Sequence, residues 1–243
     1  MHSVTPKVAP KYLDDYKTKH WDKVSKQYVW ELCCKDQARL MRDLASQFGA
    51  PRRHSHRERG ELDHREGICG YCEQPCMARK GSARSNTVDH FFPRNGFNEK
   101  MFDWANMIYA CKRCNDAKND ARVEDALKED AKSYVNPRAA DAGKYFSYSV
   151  DRKVLRMIPN MELKERQERE KAERTILDFG LNNVETSRAR NLPLLRKNYL
   201  DQLRKVMKRS NSKTARSLTK EYAQVNREFS SAVLWAYNYY YFE

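Results

Sequence analysis

The apolar positions of this chain fall into two rhythms, and each predicts its own kind of element. Val24, Tyr28, Leu32, Leu40, Leu44 and Phe48 give most of a stripe at helical spacing, so residues 21–48 read as one long helix. Gly49-Ala50-Pro51 stops it. Cys33 and Cys34 lie inside that helix and read as core residues. Residues 51–67 have no apolar period. This charged stretch, with His54, His56 and His64, reads as a solvated connector, with contact to a substrate phosphate as the alternative. Residues 120–132 read as a short helix, closed by Val135-Asn136-Pro137 because a residue before proline resists helix. The rhythm then changes to two. Residues 144–150 and 154–158 predict a hairpin turning at Asp151-Arg152-Lys153. After Pro159 the pattern is helical to the end, with breaks near Gly180-Leu181-Asn182-Asn183 and Ser210-Asn211-Ser212.

Composition narrows the class. With 33% charged and 40% hydrophobic residues the chain is polar, yet apolar enough to bury a core. No run of 18 apolar residues predicts a membrane helix, and Met1 to Pro10 lacks the apolar segment of a signal peptide, so a cytoplasmic protein is expected. Lys and Arg outnumber Asp and Glu by 47 to 33, a formal charge of +14, which points to a polyanion such as nucleic acid. The charge is concentrated. Residues 188–220 hold eleven Lys or Arg and one acid, Asp201, around Leu192, Leu195, Tyr199, Leu203 and Val206 at helical spacing. That describes an amphipathic helix with a basic face bearing Arg204, Lys205, Lys208 and Arg209. It reads equally as a track for a nucleic-acid backbone, a contact with an acidic partner, or a solvated face.

The seven cysteines are not expected to pair as disulfides in a reducing compartment. Four of them form two Cys-x-x-Cys pairs, Cys69-Gly-Tyr-Cys72 and Cys111-Lys-Arg-Cys114. Each pair can place two thiolates on one ion, and two pairs complete a tetrahedral zinc site. Such a closed site is structural, so catalysis is expected in the insert that it clamps. Redox dithiol chemistry is the rival reading. Cys76 could exchange in as a ligand and reads more simply as a bystander.

The insert contains Asp89-His90-Phe91-Phe92-Pro93-Arg94. Asn106 lies on the approach to the second cysteine pair, Asn115 follows Cys114, and Lys118 comes one helical turn later. The residue types suit phosphodiester hydrolysis. A neutral imidazole at His90 can take a proton from water. The Asp89 carboxylate and the Asn115 carbonyl oxygen are hard ligands for a catalytic Mg²⁺ or Mn²⁺. Such an ion stabilises charge on the phosphate and the departing oxygen. Asn106 is expected to orient the His90 loop. Lys118 and Arg94 are candidates for phosphate contact, with Arg113 as a further basic contact.

This pattern resembles that of the HNH (ββα-metal) nucleases: Asp89-His90-x-x-Pro93, then Asn106, then Cys111-x-x-Cys114-Asn115-x-x-Lys118. The resemblance implies strands carrying Asp89 and His90, facing across one divalent cation a helix that carries Asn115. Here the third position of the pattern is Asn115 where His is usual. A narrower likeness covers roughly residues 69–190. Gly70-Tyr71-Cys72-Glu73, Phe102-Asp103-Trp104-Ala105-Asn106, Val135-Asn136-Pro137-Arg138, Lys144-Tyr145-Phe146-Ser147, Glu173-Arg174-Thr175-Ile176-Leu177 and Leu181-Asn182 resemble the PtuB-like nuclease subunits of Septu-type and retron-associated phage-defence systems. That likeness implies an ABC-type (PtuA-like) ATPase partner and, in a retron setting, a reverse transcriptase with its RNA–DNA hybrid. The chain has no Gly-x-x-x-x-Gly-Lys-Ser/Thr loop, so any ATP dependence must come from another chain. The aromatic end around Trp235 reads either as a docking surface for a partner or as packing within the chain's own helices.

The expectation is therefore an α+β protein in three parts: an N-terminal helical region with its connector (1–66), a zinc-clamped ββα-metal nuclease core (67–132), and a hairpin with a mainly helical C-terminal region (133–243). Its expected function is metal-dependent cleavage of DNA, or of RNA such as transfer RNA, in an anti-phage complex. A stand-alone HNH nuclease of a restriction or mobile-element system and a catalytically silent zinc-binding adaptor are the alternatives.

Overall fold

The computed structural model describes residues 8–20, 37–48, 67–76, 85–94, 97–118, 134–150, 154–183 and 191–208, together with Ser217, Phe229, residues 231–233, Trp235 and Ala236. Several sequence expectations lie outside these residues. They are the 21–36 part of the long helix with Cys33 and Cys34, the connector with its three histidines, the helix over 120–132, the 151–153 turn, Arg209, and the aromatic end beyond Ala236.

Two helices precede the cysteine motifs, α1 (Lys11–His20) and α2 (Gln37–Phe48). Leu40, Met41, Leu44, Ala45 and Phe48 of α2 are buried at the spacing of one helix face. That face packs on two short antiparallel pairings: β1 (Gly67–Ile68) with β2 (Pro75–Cys76), and β3 (Asn86–His90) with β4 (Met107–Cys111). Close approach dictates one residue here. A Cβ on Gly70 would lie 2.7 Å from Phe48 Cε1 and 3.0 Å from Ile108 Cγ2, so only glycine lets the first cysteine turn sit flat on the core.

Helix α3 (Lys112–Ala117) follows β4 without a break and packs back on β3 and β4. The β3–β4 register is Asn86↔Cys111 through His90↔Met107, so the hairpin's open end carries Cys111 and its far end carries His90. A second hairpin, β5 (Phe146–Val150) with β6 (Leu155–Pro159), packs against α4 (Arg166–Asp178) and α5 (Leu192–Lys208). The fold is thus α+β, with helices around small antiparallel sheets. Among the described residues, no helix is long and apolar enough to cross a membrane.

Among the described residues, one hydrophobic core runs from α1 through α2, the β3–β4 and β5–β6 hairpins and α4 to α5. Its seams are closed by buried polar side chains. Arg138 Nε donates to the Met107 carbonyl at 2.7 Å and its Nη1 to Gln47 Oε1 at 2.9 Å, bolting α2 to β4. Asn182 spans the Met157 backbone with two bonds, of 2.8 and 2.6 Å. Thr175 Oγ1 accepts from Val135 N at 2.9 Å.

Helix α5 turns its expected stripe to the core, and its inward face is wider than that stripe. Its buried positions are Leu192, Pro193, Arg196, Leu200 and Leu203, whereas Leu195 and Tyr199 are half-buried. The inward face extends to Arg196, which is only 1% exposed and lies in the core. Its Nη1 donates to the Leu181 carbonyl at 2.9 Å, and its guanidinium lies 5.8 Å from the Tyr148 ring centre.

Candidate nuclease site and cysteine cluster

The first cysteine turn is tied by Glu73 N–H donating to the Cys69 carbonyl and Cys69 N–H donating to the Gln74 carbonyl, both at 2.9 Å. Glu73 takes the left-handed conformation, φ 58°, that glycine usually fills at such a turn. Its side chain is anchored, since Oε2 accepts from Ser231 Oγ at 2.6 Å. The second pair straddles the junction of β4 and α3, so one pairing and one helix start fix both sulfurs.

The sulfurs of Cys69, Cys72, Cys111 and Cys114 all lie within 4.8 Å of one another, and all four residues are buried. Cys72 and Cys111 are 3.9 Å apart, close to the roughly 3.8 Å edge of a tetrahedron with zinc–sulfur bonds of about 2.3 Å. Four sulfurs at this separation, excluded from water, are a donor set that fits zinc. The thiols are electrostatically unequal. Burial raises Cys69, but hydrogen bonds from Cys111, Cys114, Cys72 and Cys76 outweigh it and hold that thiol well below its usual value. Hydrogen bonding to Cys111 is the largest cause that pushes Cys72 and Cys114 up. Cys76, also buried, lies beside Cys69 and outside this set of four, and burial pushes its thiol up.

At the other end of the hairpin, Asp89 and His90 are both about 6% exposed. His90 Nε2 lies 2.9 Å from the Met101 carbonyl oxygen. A carbonyl can only accept, so Nε2 carries the hydrogen and Nδ1 is the basic nitrogen of the neutral ring. Burial, the largest influence, pushes the His90 pKa down to about 4, against the opposing Met101 hydrogen bond. The ring is therefore neutral near pH 7.

Asn106 closes the loop that bears His90. Its Oδ1 accepts from Phe92 N at 2.7 Å, while Nδ2 donates to the Phe92 and Lys100 carbonyls, each at 3.0 Å. Phe91 N–H also donates to the Asn106 carbonyl at 2.8 Å. The Asn106 side chain thus holds the backbone immediately after His90 and the turn that delivers the Met101 carbonyl.

Lys118 ends α3, where its N–H donates to the Cys114 carbonyl at 3.1 Å. The sequence reading gives it a phosphate contact; the structure places its ammonium inside. Nζ donates to Asp89 Oδ1 at 2.8 Å, to Oδ2 at 2.9 Å, and to the His90 carbonyl. Three acceptors use all three of its donors. Burial lowers its pKa, opposed by Asp89. Oδ2 of Asp89 accepts a further bond from the Tyr71 hydroxyl. Tyr71 was not legible as a site residue. Its signal was a phenol inside an apolar cysteine turn, which has to find a polar partner when buried.

The remaining site residues are placed as follows. Asn115 is half-buried on α3, between Cys114 and Lys118. Arg94 is half-buried and near enough to His90 for its charge to lower the imidazole further. Arg113 lies against Gly180, its Nη2 3.3 Å from where a Cβ would stand. Arg204 is half-buried, and Lys205 and Lys208 are exposed on α5, away from the core. For a hard cation the donors on offer are oxygens, the Asn115 carboxamide and the Asp89 carboxylate. This chemistry fits Mg²⁺ or Mn²⁺, with the condition that such an ion shares Asp89 with Lys118.

A buried imidazole with a fixed tautomer thus sits on a hairpin whose other end and adjoining helix meet at a four-thiol cluster, the two strands and a helix of a ββα arrangement. In agreement, residues 69–121 match the family model for HNH endonuclease. This part of the chain is an HNH endonuclease domain, and the enzyme is a hydrolase of phosphodiester bonds in nucleic acid. A comparison with curated proteins returns no match.

Proposed function

We propose that this nuclease cleaves nucleic acid with His90 as general base, as the cleaving subunit of an anti-phage complex that includes an ABC-type ATPase. The single observation that supports the chemistry is the His90 ring: Nε2 is committed to the Met101 carbonyl at 2.9 Å, which leaves the basic lone pair on Nδ1. A neutral Nδ1 takes a proton from the attacking water. Asn106 keeps the loop, and with it the ring direction, from drifting. Arg94, close to His90, contributes positive charge where the phosphate has to lie.

Zinc would be held by Cys69, Cys72, Cys111 and Cys114. Asn115 and Asp89 would hold the catalytic Mg²⁺ or Mn²⁺, whose chemistry is to stabilise charge on the scissile phosphate and the leaving 3′ oxygen. Support for the defence setting is the likeness to PtuB-like subunits over residues 69–190. Its outer motifs include Arg138, which fastens the C-terminal region to β4, and Thr175 and Asn182, which tie the C-terminal elements to one another. In a retron setting the reverse transcriptase and its RNA–DNA hybrid would join the complex.

The deciding experiment incubates wild type and His90→Ala with supercoiled plasmid and with RNA, in Mg²⁺ and in Mn²⁺, with and without the ATPase. Cleavage is expected to vanish in His90→Ala while zinc content stays at the wild-type level. Wild type that remains inert under every condition, alone and in complex, would make the zinc-binding adaptor the better reading.

A further inference from the structure

Tyr71 sits inside the first cysteine turn, between two of the thiols that would hold zinc, and is fully buried. Both ends of the side chain are fixed. Its ring stacks on Phe179, with centroids 4.3 Å apart and planes 16° from parallel. Its hydroxyl donates to Asp89 Oδ2. Asp89 in turn accepts from Lys118 through both oxygens, at 2.8 and 2.9 Å, and the same ammonium donates to the His90 carbonyl. The one ammonium thus ties the Asp89 carboxylate to the His90 backbone, so a turn of the carboxylate pulls on the donor that also holds the His90 carbonyl. Among the described residues, the bond that reaches that carboxylate from outside the ion pair is the one from Tyr71.

We propose that Tyr71 is a positioning residue for cleavage: its hydroxyl orients Asp89, and Asp89 with Lys118 fixes the backbone of His90 relative to the cysteine turn. The proposal rests on the nuclease reading. It gives the cysteine cluster a path to the imidazole in addition to the β3–β4 ladder. Asp89, Lys118 and His90 of the HNH motif are then linked to a residue that lies inside the zinc motif. Misplacing a base by a fraction of an ångström costs rate without costing substrate affinity.

The test uses the full chain with Tyr71→Phe, which keeps the ring stack and removes one oxygen. Three quantities are read: zinc content, kcat and KM on plasmid, and the ¹⁵N resonances of the His90 ring, assigned by comparison with His90→Ala. Zinc content is expected to be unchanged and KM within about two-fold, with kcat at least about ten-fold lower. The His90 ring should lose its single Nε2–H signature. The same substitution in an Asp89→Asn background should leave the His90 ring resonances as they are in Asp89→Asn alone. Unchanged kcat and unchanged His90 resonances would overturn the proposal, as would a fall in kcat matched by an equal loss of folded protein. So would an undiminished effect on the His90 resonances in the Asp89→Asn background. If Tyr71→Phe does not fold, Asp89→Asn serves, since it keeps the shape of the side chain and one acceptor oxygen for the Lys118 ammonium. His90 resonances identical to wild type in that variant also refute the relay. A wild type that cleaves nothing defeats the nuclease reading instead, and the ring resonances still decide the role of Tyr71.

Discussion

Asn106 uses its whole carboxamide on the chain around it, with one bond accepted and two donated inside 3.0 Å. At 3% exposure, water cannot replace those bonds. Asn106→Ala leaves the Phe92 amide and two carbonyls wanting, and is expected to cost about 2–3 kcal/mol of stability. Activity should fall much further than the folded fraction does. Urea melting run in parallel with plasmid cleavage checks this, and a variant that loses stability while keeping full specific activity would confine Asn106 to a fold role. The same reasoning separates Lys118 from Arg94. Both are basic and both follow the Asp-His pair in sequence, yet one is spent on a buried ion pair and the other lies beside the imidazole. Removing one member of a buried pair strands the other, at about 3–5 kcal/mol, so loss of Lys118 is a structural injury before it is a catalytic one.

At the scale of elements, the β3–β4 hairpin and α3 form a lever with the cysteine cluster at one end and His90 at the other. β4 is buried at every position, so the hairpin cannot slide without exposing Met107, Ile108 and Tyr109. The cluster then sets where α3 begins. Structural zinc in small domains contributes on the order of 10 kcal/mol of apparent binding energy, comparable with the whole stability of a domain. Cys111→Ser is therefore expected to be insoluble or unfolded, with loss of zinc and of helical circular dichroism. A soluble, folded Cys111→Ser chain would show that the core holds α3 without the metal.

The cysteine spacing, the Asp-His pair and the placement of Asn106 before the second pair were all legible, because each is a local offset. The short α2 face was also legible, from its apolar period. The partner of Tyr71 and the burial of Lys118 were not, since the first depends on where the first cysteine turn lies against β3 and the second on where α3 ends across it.

The molecule as a whole joins its C-terminal segment to the cysteine turn. Phe229 N–H donates to the Glu73 carbonyl at 3.3 Å, Ser231 caps the Glu73 carboxylate, and Trp235 packs on Tyr148 with centroids 5.7 Å apart. Of the two readings of the aromatic end, the described part follows the one in which it packs on its own chain. The basic face of α5 has a different fate: Lys205 and Lys208 remain exposed. Replacing Arg204, Lys205, Lys208 and Arg209 by Gln is expected to flatten the dependence of log K on log salt. On duplex DNA the slope should drop by about 0.9 for each phosphate no longer neutralised. Binding measured across a salt series decides it. A slope equal to wild type would assign that face to a protein partner or to solvent.

What the sequence by itself determined is the chemistry. Ligand types, their spacing and the excess of positive charge are properties of neighbouring residues, and no packing can change them. Only the tertiary structure decided which charges are spent inside: Lys118 on Asp89, Arg196 on the Leu181 carbonyl, Glu73 on Ser231. Those pairings join residues 15 to 158 positions apart. Burial favours them, because a buried charge without a partner costs a large share of a domain's stability.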